Sequence, residues 1–292
     1  MIAVPTDPRL ALYRGVRDPE LLRRHGVFVA EGRLVVRRLL ESPRFPTRSV
    51  LVTPTARAEV SDLIERLDAG TPVYEADVSL FGDVTGFNVH RGCLAIGERP
   101  EPTPWREVVS HARTLIVLED VGNPDNVGGV FRAAATLGAD AVFLSPGCAD
   151  PLYRKSIRTS MAATLTLPFA MAEPWPDMID GLRGDGVEIV ALTPSGSEEI
   201  GQIRRPRRVA LLVGHEGRGL GDAALARADR QVRIPMAPGA DSLNVVTAVA
   251  IALQRRHIGI SDYRAIGAAD VLEERLHSLD ETAQLQGKVG RC

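Results

Sequence analysis

The chain has 292 residues, of which 45% are hydrophobic and 25% charged, and its formal net charge at pH 7 is −2. This length suits one large domain or two ordinary ones, and the near-neutral charge gives no general electrostatic argument for binding nucleic acid. No apolar run approaches the roughly 20 residues that span a bilayer, and the first residues lack the basic and apolar regions of a signal peptide. We therefore expect a cytoplasmic protein with no membrane partner.

The spacing of cysteines and histidines argues against a metal or redox site. The chain has three widely separated cysteines, Cys93, Cys148 and Cys292. Because they form no CxxC pair, the sequence predicts no disulfide framework. His215-Glu216 begins like the HExxH zinc motif, but Gly219 stands where the second histidine belongs. We expect no bound metal.

Residues 1–98 have the pattern of a small α/β unit. The apolar spacing predicts strands at 27–29, 49–53, 72–74 and 92–96 and helices at 31–41 and 56–67. Arg33 and Arg37 lie one turn apart on the first of these helices, and planar guanidinium groups suit phosphates. They are candidate phosphate contacts. The alternative is an ordinary solvated face in an arginine-rich chain.

A second and stronger α/β pattern occupies residues 113–260. The proline-rich stretch 99–104 has no apolar periodicity, so residues 99–112 are predicted to be a linker. Beyond it, the pattern predicts strands at 115–118, 141–144, 188–192 and 209–213 and helices at 127–137, within 150–163 and near 175–182. Residues 261–292 form a weakly patterned tail, in which one helix is expected at 270–279.

The first segment that could carry chemistry is NPDNVGGVFRAA, residues 123–134. Asn126 stands where an N-cap belongs, and the apolar spacing after it predicts an amphipathic helix. Gly128 and Gly129 precede Arg132 on the same side of that helix, and two glycines in a first turn cost roughly 1 kcal/mol each relative to alanine. We interpret them as space for a ligand to approach Arg132. The alternative is a capped helix with an exposed arginine.

The second segment is GHEGRGLG, residues 214–221, which directly follows an apolar strand. Glycines at the carboxyl end of a strand allow backbone groups to contact a cofactor, and an open α/β sheet usually binds its cofactor there. The segment lacks the lysine of a phosphate-binding P-loop, and Asp222 stands where a GxGxxG dinucleotide motif needs its third glycine. Both nucleotide-binding interpretations are therefore weakened.

The third segment, IPMAPGADSLNVVTAVAIAL, covers residues 234–253. A strand end at 232–234 runs through a proline and glycine turn into a helix that begins at Ser242. Ser242 and Asn244 lie beside the helix start, where unpaired N–H groups are available to a ligand. The helix is apolar on nearly every face, so it must be buried against its own domain or a partner. The alternative is an ordinary strand, turn and core helix.

The three segments together resemble a known family. NVGGVFR, GHEGRGL and IPM-x5-SLNV, in this order, resemble the three motifs of the SpoU-type, or TrmH-like, RNA 2′-O-ribose methyltransferases of the SPOUT superfamily. The likeness covers about residues 114–258. Residues 1–98 are more loosely similar to the small ribosomal-protein-like substrate-binding domain often found before that domain.

The resemblance implies an α/β fold with two parts, a smaller N-terminal α/β substrate-binding domain and a C-terminal SPOUT domain over 113–260. The SPOUT domain would contain a trefoil knot, which is an exception to the rule that chains do not thread loops. S-adenosylmethionine would bind at the knot, and the protein would act on ribosomal or transfer RNA as a homodimer.

The resemblance also implies a role for particular residues. The cofactor pocket would be lined by Thr193, Gly214, Ile234, Met236, Ser242 and Leu243. The catalytic group would comprise Arg132, Asn126, Glu216 and Asn244. RNA contacts would come from Arg33, Arg37, Lys155 and Arg158. Arginine is normally protonated, so Arg132 acts either as a base in an unusual environment or as a group that grips a phosphate and orients the ribose 2′-hydroxyl.

Two other functions are weighed against this one. A catalytically inactive RNA-binding protein of the same fold is disfavoured because Arg132, Glu216 and Asn244 are all present. A Rossmann-type oxidoreductase is disfavoured because Asp222 replaces the third glycine of its motif. The sequence also departs from the family pattern at Ala162, where the resemblance leads us to expect a glycine.

Overall fold

The computed structural model describes residues 2, 4–14, 17–85, 92–204 and 206–257, which form two β-sheets with helices packed on them. The tail 261–292, with the helix expected at 270–279, lies outside the described residues. In chain order, the first unit contains α1 (Asp18–His25), β1 (Val27–Glu31), α2 (Arg33–Leu40), β2 (Thr47–Val52), α3 (Pro54–Glu59), α4 (Ser61–Ile64), β3 (Val73–Glu75), α5 (Val78–Thr85) and β4 (Cys93–Glu98).

The first sheet has the strand order β1-β4-β2-β3. β4 pairs antiparallel with both β1 and β2, whereas β3 is parallel to β2. α2 buries Val35, Val36 and Leu39, which are the apolar positions that predicted it. The helix predicted at 56–67 is interrupted at Val60, so it forms α3 and α4. The sequence pattern gave no indication of α1 and α5.

The second unit contains, in chain order, α6 (Trp105–Ser110), β5 (Thr114–Leu118), α7 (Pro124–Thr136), β6 (Ala141–Leu144), α8 (Arg154–Thr159), β7 (Phe169–Met171), α9 (Met178–Gly184), β8 (Glu188–Leu192), β9 (Glu198–Glu199), β10 (Val209–Val213), α10 (Asp222–Leu225), β11 (Arg230–Arg233) and α11 (Val245–His257). Its strands form one parallel sheet in the order β7-β6-β5-β10-β8-β11-β9. The predicted α/β fold with a parallel sheet is confirmed. None of the helices in the described ranges is long and apolar enough to cross a membrane.

The central strands β5 and β10 are buried along their whole length, as expected for a parallel sheet covered on both faces. Ile116 and Leu118 point into the core that contains α7, α8 and α11, whereas Leu115 and Val117 point into the core that contains α6 and α9. Because all these strands run in the same direction, the loops that follow β5, β8, β10 and β11 emerge at one edge of the sheet.

The stretch predicted to be a linker contains a helix that belongs to the second unit. Trp105, Val109 and Ala112 pack in the core that faces α9. Trp105 fits closely against Gly181, where an added Cβ would lie 2.7 Å from the indole. Residues 99–104, which precede this helix, have no helix or strand. α6 therefore packs with the second unit, although it lies within the stretch 99–112 that was predicted to be a linker.

The two units pack directly against each other. α8 lies against β1, and buried residues of both units form one hydrophobic cluster. Arg154 and Asp18 form an ion pair of 2.6 Å across the boundary. The Arg44 guanidinium lies 4.2 Å from the centre of the Phe169 ring and donates to the Phe169 carbonyl oxygen at 3.1 Å. Burial in this contact lowers the pKa of Arg44.

The glycines of α7 have a different role from the one that we expected. A Cβ on Gly128 would lie 2.5 Å from the Ser156 carbonyl oxygen, and a Cβ on Gly129 would lie 2.6 Å from the Val246 side chain. The glycines therefore admit α8 and α11 to close packing, and Gly129 also lines the cleft that contains Arg132. The prediction of an N-cap at Asn126 was also wrong: Asn123 caps α7, and its Oδ1 accepts from the Asp125 N–H at 2.9 Å.

Ala162 keeps the backbone conformation of the glycine that we expected at its position. Its φ is +67°, in the left-handed region, and the preceding Met161 has a φ of +53°. Such a conformation costs an L-residue roughly 1–2 kcal/mol. Ala162 therefore occupies a conformation that a glycine would adopt more readily.

We expect Gly128→Ala to lower the free energy of unfolding by about 1–3 kcal/mol, because the added methyl group has no room between α7 and α8. Urea unfolding of the purified protein would measure this change. The matched control is Gly184→Ala at the end of α9, where an added Cβ meets nothing within 4 Å. That variant should lie within about 0.5 kcal/mol of the wild type. Equal losses in both variants would contradict the packing role of Gly128.

Candidate active site

Three loops at the carboxyl edge of the parallel sheet enclose one cavity of about 520 Å³. They follow β8, β10 and β11 and cover residues 193–195, 214–220 and 234–245. All the residues predicted to contact the cofactor line this cavity: Thr193, Gly214, Ile234, Met236, Ser242 and Leu243. The cavity is also lined by Pro194, Asp241 and Val245, which the sequence motifs did not indicate. Cofactor binding by these residues stays a prediction.

The 214–221 loop turns tightly on itself. His215 and Gly219 exchange two backbone hydrogen bonds, of 3.1 and 2.8 Å. His215 Nδ1 also accepts from the Gly217 N–H at 2.9 Å and from the Arg218 N–H at 3.3 Å. A Cβ on Gly214 would lie 2.3 Å from the Gly219 backbone, so this position requires glycine. The turn leaves Glu216 exposed at the rim of the cavity.

A chain of side-chain hydrogen bonds joins three segments beside the cavity. Asn126 Nδ2, on α7, donates to Glu216 Oε1 of the 214–221 loop. Asn244 Nδ2 donates to Asn126 Oδ1 at 3.1 Å, and Asn244 Oδ1 accepts from the Val246 N–H at 2.8 Å. The structure thus brings together Asn126, Glu216 and Asn244, which the sequence analysis grouped. Asn244 also caps the start of α11.

Arg132 does not join this chain. It lies six residues beyond Asn126 on α7, about 9 Å further along the helix axis. Its side chain is exposed and lines a separate cleft of about 430 Å³ with Thr159, Val246 and Ala250. Within the described parts of the chain, the guanidinium has no hydrogen-bond or ion-pair partner. It is therefore free to contact a ligand or a second protein chain from this cleft.

The residues predicted to contact RNA are all paired with carboxylates of their own chain. The pairs are Arg33–Glu59 (2.5 Å), Arg37–Asp62 (2.9 Å), Lys155–Asp125 (2.7 Å) and Arg158–Glu31 (4.0 Å). The hydrogen bond from Lys155 lowers the pKa of Asp125, with a smaller contribution from Thr159. Exposed pairs of this kind contribute only about 0–1 kcal/mol. Phosphate groups can therefore replace the carboxylates at little cost.

Among the residues that the structure describes, no group of three or more His, Cys, Asp or Glu side chains is arranged to hold a metal ion. Cys148 lies near Asp120, and burial raises the pKa of its thiol.

Comparisons with known proteins place this geometry in a family. Residues 113–254 match the model of the SpoU rRNA Methylase family. A protein of Mycobacterium bovis named uncharacterized tRNA/rRNA methyltransferase Mb0905 is 43% identical over 270 residues, which are 87% of this chain and 92% of the relative. The 23S rRNA (guanosine(2553)-2'-O)-methyltransferase RlmP of Bacillus subtilis is 30% identical over 224 residues, which are 77% of this chain and 86% of that enzyme.

The fold is similar to that of a solved structure, the AdoMet-bound rRNA methyltransferase from Sinorhizobium meliloti. The TM-score is 0.76 at 24% identity, and the match covers 88% of this chain and 96% of that chain. The match to the family model and the similarity to the mycobacterial relative show that the chain belongs to the SpoU rRNA methylase family of RNA methyltransferases.

The two functions of Asn244 can be separated by substitution. Asn244→Ala removes both the cap and the bond to Asn126, so the free energy of unfolding should fall by about 1 kcal/mol. Asn244→Asp keeps an oxygen for the Val246 N–H, and its stability should stay close to that of the wild type. Neither variant donates to Asn126 Oδ1, so RNA methylation should slow by roughly tenfold in both. Full activity of Asn244→Asp would show that the bond to Asn126 is not needed.

Proposed function

We propose that this protein transfers a methyl group from S-adenosylmethionine to a ribose 2′-hydroxyl of ribosomal or transfer RNA. The observation that carries the proposal is the convergence of three loops on one cavity, with the Asn126–Glu216–Asn244 chain at its rim. The names of two similar proteins support it: RlmP is a 2'-O-methyltransferase, and the Sinorhizobium structure holds AdoMet.

The cavity has the size and chemistry for this cofactor. Ligand sites of about 300–1,000 Å³ are usual for small molecules, and this cavity measures about 520 Å³. Val213, Leu220 and Val232 supply apolar walls for an aromatic base, while Thr193 and Ser242 supply hydroxyl groups for polar parts of the ligand. The glycine turn brings backbone close to the ligand. Thr193, Gly214, Ile234, Met236, Ser242 and Leu243 would hold the cofactor, which supplies an activated methyl group on a sulfonium.

Methyl transfer requires the protein to align the ribose oxygen with the methyl group and to help remove the hydroxyl proton. Asn126 is held by a hydrogen bond on each side of its amide, so it can present a fixed polar surface to the nucleotide. Arg132 would contact the same nucleotide, either by gripping a phosphate and so orienting the 2′-hydroxyl or by accepting the proton. Glu216 and Asn244 would position Asn126.

We further infer that the active protein is a homodimer and that the domain over 113–260 is knotted. Arg132 is not among the residues that line the cofactor cavity, and it shares its cleft with half-exposed apolar residues of α11, Val246 and Ala250. A second copy packed on this face would cover the apolar surface and bring an Arg132 towards a cavity. The segment that returns the chain from β11 to α11 lines the cavity together with the loops after β8 and β10, which supports the knot.

The proposal predicts different outcomes for two assays of Arg132→Ala. Calorimetry should show that the wild type binds S-adenosylmethionine and not NAD, and that the variant binds S-adenosylmethionine equally well, since Arg132 lies outside the cavity. Methyl transfer by the variant should fall by roughly 100-fold or more. The substrate is ribosomal and transfer RNA from cells that lack the protein, and mass spectrometry of RNA digests would locate the methyl group.

The control for this prediction is Arg24→Ala on α1, another exposed arginine, which should methylate RNA at the wild-type rate. Binding of NAD without S-adenosylmethionine would contradict the proposed cofactor. A methyl group on a base would contradict the ribose assignment. A wild type that binds both S-adenosylmethionine and RNA without methylation would favour the alternative, an inactive RNA-binding protein.

We also propose that RNA runs from α8 onto the first unit. Lys155 and Arg158 project from α8, and Arg158 faces Glu31 at the end of β1. Arg33 begins α2 two residues later, and Arg37 lies one turn further on. The four basic groups therefore follow one another across the boundary between the units. This arrangement supports a phosphate track that leads away from α7.

The double variant Lys155→Ala, Arg158→Ala should weaken RNA binding and leave the affinity for S-adenosylmethionine unchanged. The slope of log K against log salt concentration should decrease by about 0.7–0.9 for each phosphate that the variant no longer neutralises. Fluorescence anisotropy with labelled RNA would measure both. The control is Arg106→Ala, which removes an exposed ion pair with Asp185 on the opposite face of the parallel sheet. An unchanged slope in the double variant would remove α8 from the RNA path.

A further inference from the structure

Glu119 is a buried carboxylate that the proposed function leaves without a role. It follows β5 directly, and only 9% of its surface is exposed. Its Oε1 accepts from Trp175 Nε1 at 2.9 Å and its Oε2 from the Gly221 N–H at 2.7 Å. Among the ion pairs of the described residues, none includes Glu119. Because burying a carboxylate without a cation costs free energy, this position needs an explanation beyond packing.

Glu119 contacts both ends of the 214–221 loop. Its backbone N–H donates to the carbonyl oxygen of Val213, the last residue before the loop, at 2.9 Å. Its carboxylate accepts from Gly221, the last residue of the loop. Both ends of the loop are therefore hydrogen-bonded to one residue, which directly follows the neighbouring strand β5. Its span is fixed by that residue, while His215 shapes the turn inside it.

The two carboxylate oxygens of Glu119 accept from different partners, which fixes the orientation of the carboxylate. The Trp175 indole lies in the segment before α9, half-buried against the core beneath the sheet. Both partners of Glu119 are N–H groups that can only donate. Two acceptor oxygens are therefore required, and a carboxylate supplies them, whereas the amide of glutamine would point an N–H towards one of the two donors.

We propose that Glu119 is a positioning residue that sets the conformation of the 214–221 loop, and through it the place of Glu216 and the shape of the cofactor cavity. This inference rests on the proposed function for its effect on S-adenosylmethionine. The effect on the loop itself does not depend on the ligand. Hydrogen exchange of the loop amides therefore tests the positioning role, and calorimetry tests the effect on S-adenosylmethionine binding.

The test uses full-length Glu119→Gln. Without any ligand, its amides over 214–221 should exchange at least tenfold faster than in the wild type, read by mass spectrometry, and S-adenosylmethionine should bind roughly tenfold more weakly or worse. The matched control is Asp140→Ala. Asp140 Oδ2 accepts from the Arg113 and Thr114 N–H groups, at 2.7 and 2.8 Å, at the opposite end of β5. This control should leave both loop exchange and S-adenosylmethionine affinity within about twofold of the wild type.

A second substitution should rescue the first. In Glu119→Gln, Trp175→Phe the indole donor is gone, so the glutamine oxygen can accept from Gly221 without its amide facing an N–H group. Loop exchange and affinity should return towards those of Trp175→Phe alone. A merely structural defect would grow with the second substitution, because that substitution removes a further hydrogen bond.

The outcomes distinguish the positioning role of Glu119 from the proposed function of the protein. Normal loop exchange in Glu119→Gln, equal effects of Asp140→Ala, or no rescue by Trp175→Phe would each overturn the positioning role. A wild type that does not bind S-adenosylmethionine, with fast exchange confined to the loop of Glu119→Gln, would keep the positioning role and reject the proposed function.

Discussion

The structure depends on one constraint, the parallel alignment of buried strands that end at the same edge of a sheet. β5 and β10 are buried along their whole length, and apart from Thr114 at the start of β5 all their side chains are apolar. The polar groups of the candidate site therefore lie on the loops at the strand ends and on the helices that follow them. The same alignment brings residues together that are far apart in the chain, as in the hydrogen bond between Asn126 and Asn244, 118 residues apart.

The packing of the two units also fixes the position of α8 beside the candidate site. α8 contacts β1 of the first unit and α7 of the second, so it is held from both sides. Its Arg154 is anchored to Asp18, while Lys155 and Arg158 face outwards in pairs that cost little to exchange. One short helix thus combines a buried anchor with exposed basic groups. An RNA bound to the first unit would consequently meet the cavity at a defined distance.

Much of the second unit could be predicted because its strands are buried on both faces. The bounds of β6, β8 and β10 agree with the predicted strands, since a buried parallel strand is a continuous apolar run between polar turns. The short edge strands β7 and β9 gave no such signal, because two or three residues have no recognisable period. α6 was missed for a related reason: it is brief, and only tertiary packing shows that Val109 is buried and Trp105 half-buried.

Some residues of the candidate site could also be predicted from the sequence, whereas others are recognised only from the tertiary structure. The motif resemblance was enough to group Asn126, Glu216 and Asn244, but it also placed Arg132 with them, and the structure puts Arg132 in a separate cleft. Sequence reasoning could not find Glu119, whose partners lie 56 and 102 residues away. It also misread Gly128, since a glycine that admits a helix and a glycine that admits a ligand are identical in sequence. A glycine in a motif therefore indicates a ligand site only when close packing against a neighbouring helix does not already explain it.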